Sequence, residues 1–263
     1  MEALSRIMDQ VRMISQNSED KKTEYRCNEC QDSGWIYSKE SDNYKQCRCV
    51  KIKHVKSLWN NFGVKPEETM KLAEYIPYDN ITKSAKEKAI NYIKSFNDIA
   101  SKKENSYGLF GQAGAGKSHI VIAIGAELLN RDIEPVEVVY MPYLEVSREL
   151  KANTNNDEYY IQVSHKYCKA KLLIIDDLFK DKMRNGQLIK GACITESDMK
   201  HIYPILNYRY LNHLPIVFST ECTPKILNEL DEALAGRILE SCDENITIFK
   251  GPQYNYRMRK FMK

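Results

Sequence analysis

GQAGAGKS at residues 111–118 stands between a short apolar run, YGLF at 107–110, and a longer one, HIVIAIGAELL at 119–129. The flanks predict a strand, a tight turn and a helix in that order. Gly111, Gly114 and Gly116 permit the turn, because glycine enters left-handed backbone conformations without a Cβ penalty. Successive main-chain N–H groups can then converge on one anion, and the helix adds its free amides and positive dipole end. Lys117 has the reach for β- and γ-phosphates, and the Ser118 hydroxyl suits Mg²⁺. A glycine-rich turn before a core helix is the plain alternative. The adjacent Lys-Ser pair and the two flanks favour a phosphate-binding loop.

A second stretch supports that reading. KLLIIDDLF at 171–179 is a continuous apolar run ending in two carboxylates, as expected of a parallel strand buried on both faces. Ligands of open α/β sheets bind beyond the carboxyl ends of the strands. Asp176 is therefore expected to hold Mg²⁺ through water, and Asp177 to orient or polarise an attacking water. Taken alone, the segment would read as two solvated acids ending a strand. Asp177 is shorter than the Glu common at this position, which points to slow or conditional turnover. LPIVFSTE at 214–221 predicts another buried strand; Ser219 and Thr220 at its end either sense phosphate or simply terminate it. In DEALAGRILE at 231–240, Arg237 is either an exposed ion-pair partner or a cation offered to the γ-phosphate of a neighbouring subunit.

The cysteines divide into two groups. Cys27-x2-Cys30 and Cys47-x-Cys49 are separated by a stretch that reads as a hairpin, with WIY and YKQ flanking a polar turn. Two close thiol pairs meet the tetrahedral demand of Zn²⁺ and close its shell, leaving no position for a reactive water. Free thiols or a redox pair are the alternative, and His54 is either a substitute ligand or, more in keeping with the basic KIKHVK run, a solvated histidine. Cys168, Cys193, Cys222 and Cys242 are scattered and read as small, partly buried core residues.

With 263 residues and a net charge of +3, the chain has room for one nucleotide-binding domain and a smaller module, and its charge does not by itself announce nucleic acid. No apolar run reaches membrane-spanning length, so no membrane association and a soluble, cytoplasmic protein are expected. Leu4, Ile7, Met8, Val11 and Ile14 form a helical stripe over 2–15, facing its own domain or a partner. Residues 1–60 are read as this helix plus the zinc-binding module, and 66–263 as the nucleotide domain. Within it a helix is expected from about Ser84, with Ile90, Ile93 and Phe96 inward. Strands at 136–140, 171–179 and 214–221 alternate with helices, which argues for a parallel sheet flanked by helices.

From about residue 66 the chain resembles AAA+ ATPases of the helicase-loader group, the DnaC/DnaI type of bacteria and their phages. The matching stretches are FGV, GQAGAGKSH, DDLFK, LNYRY, PIVFST, DEALAGRILE and the terminal NYR at 255–257. The resemblance implies a P-loop AAA+ sheet with a reduced C-terminal lid. It also implies that Gly111, Gln112, Ala113, Gly114, Ala115, Gly116, Lys117, Ser118 and His119 surround ATP, with Asp176 and Asp177 for Mg²⁺ and water. Ser219 and Thr220 would lie at the first sensor, Arg257 at the second, and Arg237 would act across a homo-oligomer. The first-sensor segment of the family usually contains Asn, whereas this chain reads Ser219-Thr220-Glu221. The implied function is ATP-dependent loading of a hexameric replicative DNA helicase onto single-stranded DNA, with the zinc module gripping the helicase. Two other readings stand beside it: a transposition helper ATPase of the IstB kind, and a zinc-stapled adaptor with weak or no hydrolysis.

Overall fold

A computed structural model of the chain describes residues 25–39, 41–258 and 261. These divide into two units between His54 and Val55. The amphipathic segment expected over residues 2–15 lies outside the described residues. In the first unit, β1 (Trp35–Ser38) and β2 (Asn43–Gln46) form an antiparallel hairpin with Trp35 opposite Gln46 and Ser38 opposite Asn43. The hairpin expected between the cysteine pairs is thus present. Helix α1 (Arg48–Phe62) follows, and the division falls within it.

The second unit runs α2 (Asn80–Ile99), β3 (Tyr107–Gly111), α3 (Lys117–Leu129), β4 (Val138–Pro142), α4 (Tyr143–Ala152), α5 (Asp157–Lys169) and β5 (Leu172–Asp176). It continues with β6 (Met183–Arg184), β7 (Gln187–Leu188), α6 (Glu196–His201), α7 (Tyr203–Leu211), β8 (Ile216–Thr220), α8 (Pro224–Leu230), α9 (Glu232–Cys242) and β9 (Ile246–Phe249). Five strands make one sheet in the order β4–β5–β8–β3–β9, and every pairing in it is parallel.

Both faces of this sheet are buried. Leu109 and Ile174 point into a core shared with Ile120, Ile124 and Leu128 of α3, and with Ala89 and Tyr92 of α2. Their chain neighbours Phe110 and Ile175 point into a second core with Val146 of α4, Ile205 of α7 and Ile238 of α9. Strand alternation therefore serves two apolar layers, and the central strands β3, β5 and β8 read as continuous apolar runs because neither of their faces meets water. Register sets the site: Phe110 lies opposite Thr220 and Pro142 opposite Asp176. The ends of β3, β5 and β8 therefore emerge on one edge.

Four elements depart from the expectation. Helix α2 starts at Asn80, ahead of Ser84, because the Asp79 carboxylate accepts from the Thr82 amide at 2.8 Å and the Thr82 hydroxyl answers the Asp79 amide at 3.0 Å. That reciprocal cap satisfies two orphan donors and sets the helix start. Of the three residues expected inward on this helix, Phe96 is buried, while Ile90 and Ile93 are partly buried against the same core. The edge strand β9 and the short β6–β7 hairpin were not foreseen. Among the described residues no helix is long and apolar enough to cross a membrane.

Candidate nucleotide site and candidate metal centre

The turn after β3 has the backbone that its glycines allow. Gly111 adopts φ +98°, and a Cβ there would lie 2.3 Å from the Phe249 carbonyl oxygen. Gly116, the N-cap of α3, adopts φ +83°, and a Cβ would meet the Tyr75 ring at 2.7 Å. No other residue type fits either position without displacing a neighbour. Lys117 opens α3 and is only 5% exposed. Its ammonium donates to the carbonyls of Gly111 at 2.8 Å and Gln112 at 2.9 Å, folding back over the loop. Burial lowers the Lys117 pKa to about 8, although Asp177 and Glu221 pull the other way. A buried ammonium held by backbone carbonyls suits an anionic ligand.

The acidic pair sits across from it. Asp176 ends β5, and its carboxylate accepts from the Ser219 hydroxyl at 2.5 Å and from the Tyr140 hydroxyl at 3.1 Å. The same Ser219 oxygen accepts from the Asp177 amide at 2.8 Å. Ser219 therefore stitches the end of β8 to the acidic turn, and it is fully buried. The Thr220 hydroxyl is engaged elsewhere: it donates to the Leu178 carbonyl at 2.7 Å and accepts from the Cys222 amide at 3.1 Å. Asp177 takes φ +57°, which swings its carboxyl out of line with the strand. Burial and the adjacent Asp176 raise its pKa.

One cavity of about 620 Å³ collects part of this set, whereas Gly111, Gln112, Asp176, Ser219 and Thr220 do not line it. Ala113 through His119, Asp177 and Arg257 line it. Met70, Tyr75, Ile76, Tyr78, Lys180, Glu221 and Tyr256 line it too, and none of these was singled out as a nucleotide-site residue from the sequence. The only signals were the EYIPY turn and the Glu standing where Asn is usual. The 70–78 segment is held against the loop helix by His119, whose ring nitrogen lies 2.7 Å from the Lys71 carbonyl and whose ring meets Tyr75 edge-on. The buried Tyr75 hydroxyl has no hydrogen-bond partner among the described residues. The tail closes the other side, with the Tyr256 amide donating to the Gly114 carbonyl at 3.1 Å and the Tyr256 ring stacked near Tyr78. This carries Arg257 to the cavity wall. Hydroxyl and carboxylate oxygens from Ser118 and Asp176 are the hard donors that Mg²⁺ takes, and two hydrogen bonds leave the Asp176 carboxylate further lone pairs.

Arg237 lies elsewhere. On α9 it donates to the Tyr203 hydroxyl and, at 2.7 Å, to the Asn207 side-chain oxygen. Its guanidinium also lies 5.6 Å from the Tyr203 ring centroid and 5.8 Å from that of Tyr210. It is no part of the cavity wall of its own chain.

In the first unit the four sulfurs of Cys27, Cys30, Cys47 and Cys49 lie within 4.8 Å of one another. Cys27 and Cys47 sulfurs are 3.7 Å apart and those of Cys30 and Cys49 3.4 Å. A tetrahedron of zinc–sulfur bonds of about 2.3 Å has edges of about 3.8 Å, so the cluster fits the ion closely. Burial opposes the Cys30 thiolate. A hydrogen bond from the Gly34 backbone and the neighbouring thiols outweigh it and bring its pKa to about 7. His54 is not among the clustered ligands.

A family model of the bacterial DnaA ATPase domain matches residues 73–241, more than half of the chain. The chain belongs to the bacterial DnaA ATPase-domain family. Two relatives from Bacillus subtilis (strain 168) extend over most of it. The uncharacterized protein YqaM is 37% identical over 84% of this chain and 69% of its own length. The phage-like element PBSX protein XkdC is 30% identical over 97% of this chain and 96% of its own length. Solved structures share the fold of this DnaA-type ATPase domain. DnaI has 21% identity and a TM-score of 0.53 over 70% of this chain and 90% of that one. The DnaC helicase loader has 17% and 0.54 over 74% and 99%. The replication initiator DnaA bound to AMPPCP and single-stranded DNA has 15% and 0.53 over 75% and 56%. The AAA+ fold of the DnaC/DnaI type, expected from the motif order, is the fold observed. Among the described residues, α9 is followed by β9 and two short 3₁₀ turns.

Proposed function

We propose that the chain binds and hydrolyses ATP and uses that cycle to load a hexameric replicative helicase onto single-stranded DNA. The observation that carries the nucleotide half is the shared cavity, whose wall takes in a buried Lys117, the rest of residues 113–119 and Asp177. The loop amides and Lys117 would hold the phosphates, and Tyr75, Ile76 and Tyr78 would flank the base. Ser118 and Asp176 would hold Mg²⁺, which neutralises phosphate charge when bound. Asp177, with its raised affinity for a proton, would orient the attacking water and accept its proton. Ser219 positions both acids, Arg257 would meet the nucleotide from the tail, and Arg237 would reach the nucleotide of an adjacent subunit. The likeness to a helicase loader and to an initiator bound to single-stranded DNA supports the loading half, and the Cys27–Cys49 zinc unit would grip the helicase.

The test is nucleotide binding and turnover with the Lys117→Ala chain. We expect loss of ATP binding by at least tenfold and of turnover entirely, with helicase capture retained through the N-terminal unit. Unchanged ATP binding would remove the reading. Tight binding with no turnover, with or without single-stranded DNA and helicase, would favour the zinc-stapled adaptor. Capture of a transposase in place of a helicase would favour the IstB-like helper.

A further inference from the structure

Two charged residues in the cavity wall have no part in the phosphate-loop reading. Lys180 opens the short 3₁₀ turn that follows the acidic strand. Glu221 is the first residue beyond β8 and is only 6% exposed. Their side chains form an ion pair, with the carboxylate almost wholly enclosed and the lysine a third exposed. Both line the cavity that holds Lys117 and Asp177.

A buried carboxylate is an odd neighbour for a polyphosphate. Like charges at close range in a partly dry site repel strongly, so Glu221 is tolerable there only with a cation between it and the ligand. Lys180 is such a cation, and its backbone holds it there. The Lys180 amide donates to the Asp177 carbonyl at 3.0 Å, and the Leu178 amide to the Ser219 carbonyl at 2.8 Å. Together with the Thr220–Leu178 hydrogen bond, these contacts pin residues 177–180 to the end of β8. β8 lies between β3, which feeds the phosphate loop, and β5, which bears the acidic pair. Its end therefore faces the part of the ligand farthest from the base. A lysine ammonium carries three donors, so it can keep the carboxylate and still meet a phosphate oxygen.

We infer that Lys180 recognises the terminal phosphate of a bound nucleoside triphosphate, with Glu221 holding it in place, so that this ion pair distinguishes triphosphate from diphosphate. The inference rests on the cavity being a nucleotide site. A pair that merely ties two strand ends together would contribute to stability and be indifferent to the ligand.

Calorimetric titration of the full chain with Mg²⁺-AMPPNP and with Mg²⁺-ADP separates these roles. For Lys180→Met we expect AMPPNP affinity to fall roughly tenfold to a hundredfold, the range for a lost hydrogen bond between charged groups, with ADP affinity within about twofold. Lys180→Arg should recover most of the loss. The double variant Lys180→Gln with Glu221→Gln keeps a neutral hydrogen bond and leaves no unpaired buried charge. It should show the same selective loss even if the single variant folds poorly. Equal losses for both nucleotides, or none, in a folded variant would overturn the inference and leave the nucleotide site standing. Failure of the unaltered chain to bind either nucleotide would overturn both.

Discussion

Arg209 has no exposed surface, yet its guanidinium is among the largest groups in the core. It donates to the carbonyls of Tyr167 at 2.9 Å, Cys168 at 3.2 Å, Ala170 at 2.9 Å and Pro215 at 2.7 Å. Burial lowers its pKa to about 10, so it stays charged at neutral pH. The four carbonyls belong to the end of α5 and the entries to β5 and β8, so one side chain sets where two central strands begin. Replacing it leaves several buried acceptors unmet. Arg209→Met is expected to cost about 3 kcal/mol or more in urea unfolding, with the slope of the transition unchanged. At this scale the sequence is legible where spacing carries the chemistry, as at Gly111, Gly116 and Lys117. It gives no partner for Arg209, Lys180 or Glu221, because the groups that enclose them come from distant segments.

Between the acidic strand and α7 lies a small polar network. The Lys182 ammonium lies 2.7 Å from the Asp198 carboxylate and 3.0 Å from that of Asp181, and Lys151 lies 3.5 Å from Asp198. Asp198 also caps α6, accepting from the Thr195 amide at 3.0 Å while its own amide donates to the Thr195 hydroxyl. Burial works against the Asp198 carboxylate. Hydrogen bonds from Lys182 and Thr195 outweigh it, and its pKa falls to about 2. A carboxylate held below its ordinary value stabilises the fold fully above about pH 4 and ceases to do so as pH falls through about 2. Hydrogen exchange should therefore show residues 181–201 losing protection across that window, by about 1 kcal/mol or somewhat more after solvent screening. Asp198→Asn should show the loss already at pH 7. Elements with long apolar runs (β3, β5 and β8) could be read from the sequence because burial on both faces leaves an unbroken signal. The four residues of β9 and the two-residue strands β6 and β7 could not, since so few positions carry no usable period.

The two units call for separate tests. If the four thiols hold zinc, a chelator should release one ion per chain and abolish ordered structure around the cysteines, because a segment this small has little core of its own. Nucleotide affinity should stay within about twofold, and a larger change would show that the metal supports the ATPase unit. If Arg237 acts across subunits, Arg237→Ala should leave nucleotide affinity unchanged and remove turnover only at concentrations where the chain assembles. A loss at every dilution would mean that its hydrogen bonds to Tyr203 and Asn207 are its whole role. Local chemistry was written into contiguous stretches: a turn that only glycine can make, a lysine and a hydroxyl at the start of a helix, two acids at the end of a buried strand, and four thiols at zinc spacing. Those features depend on neighbours a few residues apart, so they survive in a linear string. Folding alone decided that Ser219 joins both acids while the Thr220 hydroxyl is engaged elsewhere, that the tail brings Arg257 to the phosphate loop, and that Lys180 and Glu221 face each other in the same cavity. Such pairings come from strand order and register, which bring together residues tens of positions apart.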